Sequence, residues 1–315
     1  MKTISALLIT LSLLLFACSS QNDGKIAIAI LTPVTHPSLE QIEKGFKETM
    51  EKSSPGKYRF VTYNAQGNKT LMRGEIEEIA QKDYALTFTI GTSASQMTNE
   101  VFSKKNVNTP IVFTCVHDPV GANLIPTADS SCQITGVEEL LDLQTELDLA
   151  LNFKPDIEKL LLIYNPMEAG LIKDKEQLQA LANDKNIKLQ TVEIFQINEL
   201  MAKATPYLQD ADAVIVLKDN TVVAGLDPLI KLCSQYAIPL IASDLDSPDR
   251  GAAMGYGVYE IDFGIEGAKK ALQILDEHIQ PQAIPVTPVA NFTLIVNRDA
   301  AIKQGIDPEL LENLP

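Results

Sequence analysis

The sequence has no tryptophan, and Phe and Tyr together make up only 6% of its 315 residues. No aromatic-lined groove for a polymer is announced. Histidine is almost missing: His36, His117 and His278 are the whole set. No Cys-x-x-Cys pair and no His-rich spacing occurs, so the sequence offers no metal cluster. Basic residues are in deficit, with a formal net charge of −15. No cationic stripe is present to neutralise phosphates, which argues against a nucleic-acid partner. The acidity by itself serves solubility. The run Gly-x-x-x-x-Gly-Lys-[Ser/Thr] is absent, so the chain does not bind ATP through such a loop, and no cofactor is called for. Low-complexity stretches and internal repeats are lacking as well.

Long apolar runs are confined to the start. Lys2 provides a positive charge, Leu7 to Phe16 an apolar stretch, and Cys18 follows Ala17 directly. This is a secretory signal with a cysteine at its cleavage point. It resembles the bacterial lipoprotein signal, in which that cysteine is lipidated and becomes the mature N-terminus. The stretch Ile4–Ala17 is shorter than the ~20 residues that a membrane-spanning helix needs. The expectation is an extracytoplasmic protein, periplasmic or at the cell surface, anchored to a membrane through lipid on Cys18. Residues 1–17 are read as the signal and 18–24 as a tether.

Only four cysteines occur. With Cys18 taken by the anchor, Cys115, Cys132 and Cys233 remain. Either Cys115 and Cys132 form a disulfide across a returning loop, or all three are buried free thiols.

The rest of the chain alternates short Ile/Val/Leu runs with amphipathic stretches. Strands are expected at 25–31, 58–63, 85–90 and 110–115, and helices at 37–52, 71–82 and 93–104. Ser38 is a plausible cap for the first helix. The pattern repeats with strands at 160–164, 189–194, 213–217 and 239–242, and helices at 174–185, 198–208 and 222–236. A strand at 252–258, a helix at 261–278, a proline-rich connector at 281–288 and a strand at 292–296 complete the chain. Continuous apolar strands mean parallel sheets buried on both faces. The fold class is therefore α/β, with two Rossmann-like parallel-sheet lobes. Residues 25–136 and 254–284 are assigned to one lobe, and 137–253 and 285–315 to the other.

Ligands of open α/β sheets sit beyond the carboxyl ends of the strands. Gly91-Thr92-Ser93-Ala94-Ser95 places free backbone N–H groups at a helix start, which suits a carboxylate. Thr92 or Ser93 could equally serve only as a helix cap. A hydrolase reading puts a nucleophile at Ser93 or Ser95 with His117 as its base, but Ser95 stands where a nucleophile elbow has its last glycine. Asp219 and Asn220 could meet a ligand ammonium and its polar head, or cap the helix that follows. Ser243-Asp244 repeats the theme at another strand end.

Several stretches resemble the bacterial ABC-transporter substrate-binding lipoproteins of the aromatic-amino-acid type. They include His36-Pro37, Tyr63-Asn-Ala-Gln66, Pro110-Ile-Val-Phe113, Asp118-Pro-Val-Gly121, Ile134-Thr-Gly136 and Tyr164-Asn-Pro166. Further along come Asp219-Asn-Thr-Val222, Ser243-Asp244, Gly251-Ala252, Tyr256-Gly257 and Ile295-Val-Asn297. The resemblance implies a type I periplasmic-binding-protein fold, with three crossings between the lobes and a cleft that closes on a small ligand. It implies an amino acid or a similar small anion-bearing ligand, and a membrane permease with its ATPase as partners. Its carboxylate contacts map onto Thr92, Ser93 and Ala94. Its opposite-lobe contacts map onto Asp219, Asn220 and Thr221, with Asn165 and Asp244 as further positions. Lys218 and Gly91 depart from the residues expected beside these motifs. The reading is a binding protein, with a ligand sensor for a membrane receptor as the alternative and an extracytoplasmic hydrolase behind it.

Overall fold

The computed structural model describes residues 24–125, 133–168 and 170–312. The signal, Cys18, Cys132 and most of the tether lie outside the described residues. Cys115 and Cys233 are free thiols.

The first sheet comprises β1 (Ile26–Thr32), β2 (Tyr58–Asn64), β3 (Leu86–Ile90), β4 (Ile111–Val116), β5 (Ile134–Glu138) and β11 (Thr287–Pro288). Its order is β11-β5-β4-β3-β1-β2, and every pairing is parallel. The second sheet comprises β6 (Lys159–Tyr164), β7 (Lys188–Glu193), β8 (Ala213–Val216), β9 (Leu240–Ala242), β10 (Met254–Gly257) and β12 (Thr293–Val296). Its order is β12-β10-β9-β8-β6-β7, parallel except for β10 with β12. The expected α/β two-lobe fold is the one observed.

Helices on both faces explain the unbroken apolar strands. In β1, Ala27, Ala29 and Leu31 enter one core cluster and Ile28 and Ile30 the opposite one. In β6, Leu160 and Leu162 face one side and Leu161 and Ile163 the other. Alternate residues of a strand point to opposite faces, so burial on both demands apolar residues at each position.

The first lobe carries α1 (Pro37–Ser53), α2 (Lys69–Ile79), α3 (Thr92–Lys105) and α10 (Glu260–Leu275). The ring of His36, not Ser38, caps α1, accepting from the Ser38 N–H at 3.3 Å. Helices α1 and α10 pack at glycines. A Cβ on Gly264 would lie 2.0 Å from the Ile42 carbonyl oxygen, and one on Gly45 2.3 Å from that of Ile261. The two backbones meet there with no room for a side chain.

The second lobe carries α4 (Leu143–Phe153), α5 (Leu171–Asp184), α6 (Leu200–Leu208), α7 (Asn220–Ala224), α8 (Leu226–Tyr236), α9 (Ser247–Arg250) and α11 (Arg298–Lys303). No helix was expected at α4 or α11. Leu143, Leu147 and Ala150 of α4 nevertheless follow helical spacing, and Asp142 caps the helix through the Thr145 N–H. The single helix expected at 222–236 is two. Pro228 has no N–H and cannot accommodate the preceding turn, so the chain restarts after Gly225.

Sheet membership gives three crossings, at 139–142, 258–259 and 289–292. Each lies beyond the boundary expected from sequence. β5 runs on to Glu138 in the first sheet, β10 belongs to the second sheet and not the first lobe, and β11 joins the first sheet. The strand expected at 252–258 is β10, seated in the second sheet beside the antiparallel β12, and the two-residue length of β11 within a proline-rich stretch hides that strand from an apolar-run reading. Helix α10 packs against α1 in the first lobe.

Candidate ligand-binding cleft

The carboxyl ends of the two sheets face each other. Contacts across the gap establish this. A Cβ on Gly170 at the start of α5 would lie 2.4 Å from the His117 Cβ that follows β4.

On the first lobe, Gly91 ends β3 with φ 85° and ψ 159°, a conformation that glycine alone adopts readily. Gly91 is also the N-cap of α3 and supplies no side-chain cap. The opening N–H groups of a helix have no acceptor within it, and here the chain provides none from a cap. Thr92 is half-buried, Ser93 exposed and Ala94 buried. Sequence reasoning left helix capping by Thr92 or Ser93 open; neither acts as the cap. Ser95 is fully buried. Its hydroxyl donates to the Gly91 carbonyl at 2.7 Å and pairs with Thr89 at 2.9 Å. It is a structural hydroxyl and not a nucleophile.

On the second lobe, Asp219 is fully buried. Its Oδ1 accepts from the Thr221 and Val222 N–H groups at 2.9 and 3.0 Å, and its Oδ2 from the Asn165 N–H at 2.5 Å. It caps α7 and ties it to the loop after β6. Burial pushes its carboxyl up to about 7, with the neighbouring Glu168 charge adding to the rise and the backbone donors opposing it. Its side chain does not open to the cleft. Asn165 is likewise committed: its amide donates to the Thr221 hydroxyl at 2.9 Å and its Oδ1 accepts from Met167 at 3.0 Å. Asp244 accepts from the N–H groups of Asp246 and Ser247 at 2.9 and 2.7 Å and from the Ser247 hydroxyl at 2.7 Å. All three carboxylate and amide groups build loops.

Of this set Asn220 is exposed, and Thr221, like Asp244, is half-buried; Asn220 and Thr221 lie side by side at the surface of the second lobe. They converge on a residue that sequence reasoning passed over, Glu168. Its Oε2 accepts from the Asn220 N–H at 3.0 Å and side-chain amide at 2.9 Å. Its Oε1 accepts from the Thr221 N–H at 2.9 Å and hydroxyl at 2.8 Å. The Asn220 amide nitrogen is thus occupied, and Oδ1 is the acceptor it has left for a ligand. Among the described residues, no Lys, Arg or His pairs with Glu168 within 4 Å. This lip of the cleft is anionic, and the start of α3 is electropositive.

Between the lobes lies a second group, also unassigned from sequence beyond His117. Lys218, at the end of β8, is ion-paired with Glu139 in the first crossing and, at 2.8 Å, with Glu260 at the start of α10. Its Nζ lies 5.1 Å from the Phe263 ring centroid. His117 bonds Glu139 through Nε2 at 3.0 Å and approaches Asp174 of α5 through Nδ1 at 3.5 Å. Burial tends to neutralise all five groups, but the charges answer it unequally. Despite desolvation, Lys218 and His117 hold Glu139 well below the usual carboxylate range. Glu139 and Glu260 hold Lys218 well above its ordinary value against the same penalty, and Glu139 raises His117. Asp174 and Glu260 are pushed up by burial.

The family model described as ABC transporter substrate binding protein matches residues 27–313. The chain belongs to that family. A tyrosine-binding protein of Clostridioides difficile is 25% identical over 298 residues, covering 89% of this chain and 85% of the relative. An uncharacterized protein of Rickettsia prowazekii is 29% identical over 279 residues, with the same coverage of 89% and 85%. Among solved structures, an ABC domain from Streptococcus pneumonia in complex with L-Trp aligns with a TM-score of 0.80 at 21% identity, covering 91% of this chain and 98% of that one. A ligand-free, open substrate-binding protein with adhesive properties from Clostridium difficile aligns at 0.73 with 24% identity, covering 90% and 95%. Members of the ABC substrate-binding family bind a small ligand and work with a membrane permease and its ATPase. This chain is a binding protein and not an enzyme, in keeping with the engaged state of Ser95 and His117. Among the described residues, no helix is long and apolar enough to cross a membrane.

Proposed function

We propose that this ABC substrate-binding protein captures an amino acid, with an aromatic side chain favoured, in the cleft between its lobes. It delivers the ligand to an importer from outside the cytoplasm, anchored through lipid on Cys18. What supports the ligand class is the uncapped start of α3 on one lobe and an anionic lip on the other. A zwitterion matches that polarity. Its carboxylate takes the Ser93 and Ala94 N–H groups and the Thr92 hydroxyl. Its ammonium takes Asn220 Oδ1 and the Glu168 charge, with Thr221 holding Glu168 in place. Asp219, Asn165 and Asp244 shape the loops from beneath. Val34 and Met167, exposed by 40% and 79% after β1 and β6, provide apolar surface at the strand ends for a side chain. The aromatic preference is supported by the tyrosine-binding relative and by the L-Trp complex of the structural neighbour.

Thermal denaturation with each of the twenty amino acids tests the reading. A ligand at a hundred times its Kd stabilises by about 2.7 kcal/mol. Tryptophan, tyrosine or phenylalanine is expected to raise the midpoint. A flat response to all twenty rules out an amino acid.

A further inference from the structure

We propose that Lys218 and His117 are the two arms of a latch that draws the lobes together through the protein's own charges. Closure then does not depend on ligand contacts alone.

The first arm joins the second lobe to the first crossing and to the helix that follows the second. Lys218 leaves β8 and reaches Glu139, immediately after β5, and Glu260, at the start of α10. Phe263, over which its ammonium sits, belongs to the core of the first lobe. The second arm runs the other way. His117 leaves β4 beside a bulge at Cys115, where φ is 54° and the β4–β5 register shifts. A bulge re-aims the chain that follows it. His117 packs on Gly170 and faces Asp174 in the second lobe. Side-chain exposure of Lys218, Glu139 and His117 is 13%, 9% and 12%, so solvent does little to screen the pairs.

A buried ion pair draws its groups together only where attraction exceeds the loss of hydration. Glu139 and Lys218 both remain charged more firmly here than in water, which is the sign of that surplus. Asp174 and Glu260 show the opposite balance and are the weaker contacts. The latch requires that opening the lobes parts Lys218 from Glu139 and Glu260 and His117 from Asp174. Opening leaves His117 beside Glu139, because β4 and β5 are neighbouring strands.

Small-angle scattering of the ligand-free protein tests the latch without any assumption about the ligand. It therefore stands or falls separately from the amino-acid reading. Two variants divide the arms. Asp174→Asn weakens the histidine arm alone. The triple variant Lys218→Met, Glu139→Gln and Glu260→Gln removes the lysine arm at nearly constant volume and also takes the Glu139 charge from His117, leaving His117 and Asp174 as the charged pair between the lobes, so the lysine arm is read from the excess of its effect over that of Asp174→Asn. The wild type is expected to scatter as a compact body matching the structure. The triple variant should keep a cooperative melt but show a larger radius of gyration, with the open population raised at least tenfold. Asp174→Asn should show a smaller increase in the same direction. A wild type that is already expanded, or folded variants that scatter as the wild type does, would overturn the latch.

Discussion

Glu146 on α4 offers the most quantitative test of how this fold handles buried charge. It is 1% exposed, and the Ser243 hydroxyl lies 3.0 and 2.8 Å from its two oxygens. Burial pushes its carboxyl up to about 8, and the carboxylates of Asp244 and Asp142 push in the same direction against the Ser243 hydrogen bond. The unfolded chain gives up this proton near 4.5, whereas the folded chain keeps it to about 8. Between those values the folded state binds more protons, so stability falls as pH rises and the loss is complete above the folded value. At 1.36 kcal/mol for each pH unit the full effect is at most about 4 to 5 kcal/mol. Glu146→Gln mimics the protonated acid and has no proton to lose. Urea denaturation at pH 5, 7 and 9 should show the variant close to the wild type at pH 5 and more stable by about 2 kcal/mol or more at pH 9. Other groups that titrate cancel in the difference between the two proteins. A difference that does not change with pH would show that Glu146 is ionised in the folded state and would refute the reasoning.

Gly264→Ala would place a methyl group against the Ile42 carbonyl and separate α1 from α10. Such overpacking should cost about 1–3 kcal/mol or more, read by urea denaturation. Asp219→Ala strands the Val222 N–H at the start of α7 and the Asn165 N–H in the loop after β6, while the Thr221 N–H keeps Glu168; it should lower stability by about 2 kcal/mol, visible in the same assay, because the residue acts as a cap. Thr92→Pro suits the first position of α3 yet removes both a hydroxyl and an N–H. It should leave the melting temperature in place and weaken aromatic amino-acid affinity about tenfold to a hundredfold in calorimetry. Cys18→Ser should abolish incorporation of labelled palmitate and release the protein from membranes; equal labelling of the variant would contradict the anchor.

The architecture was legible because its strands are buried on both faces. The run at 25–31 appears as β1 within one residue, and the repeat of strand and helix gave both lobes. What stayed hidden has physical causes. Pro228 sits in the first turn of α8 and was read through as helix interior. β11 is two residues long and pairs through backbone groups that carry no side-chain pattern. The helix expected from 93 begins at Thr92, and its start is local in sequence because Gly91 to Ala94 directly follow β3. Glu168 was not legible, because its four donors lie more than fifty residues further on in Asn220 and Thr221. Asp219 has the right chemistry for an ammonium partner, but its neighbours Thr221 and Val222 already consume that carboxylate. Lys218 stood out from sequence as a departure, and its partners Glu139, in the first crossing, and Glu260, at the start of α10, are brought together only in the folded chain.

The central claim is that an aromatic amino acid is held by its carboxylate at the start of α3. Calorimetric titration of the wild-type protein with L-tyrosine and L-tryptophan beside their decarboxylated amines, tyramine and tryptamine, tests it most directly. The account predicts saturable binding of at least one amino acid and a loss of at least tenfold in affinity for the matching amine. An amine that binds as tightly as its parent amino acid would contradict it.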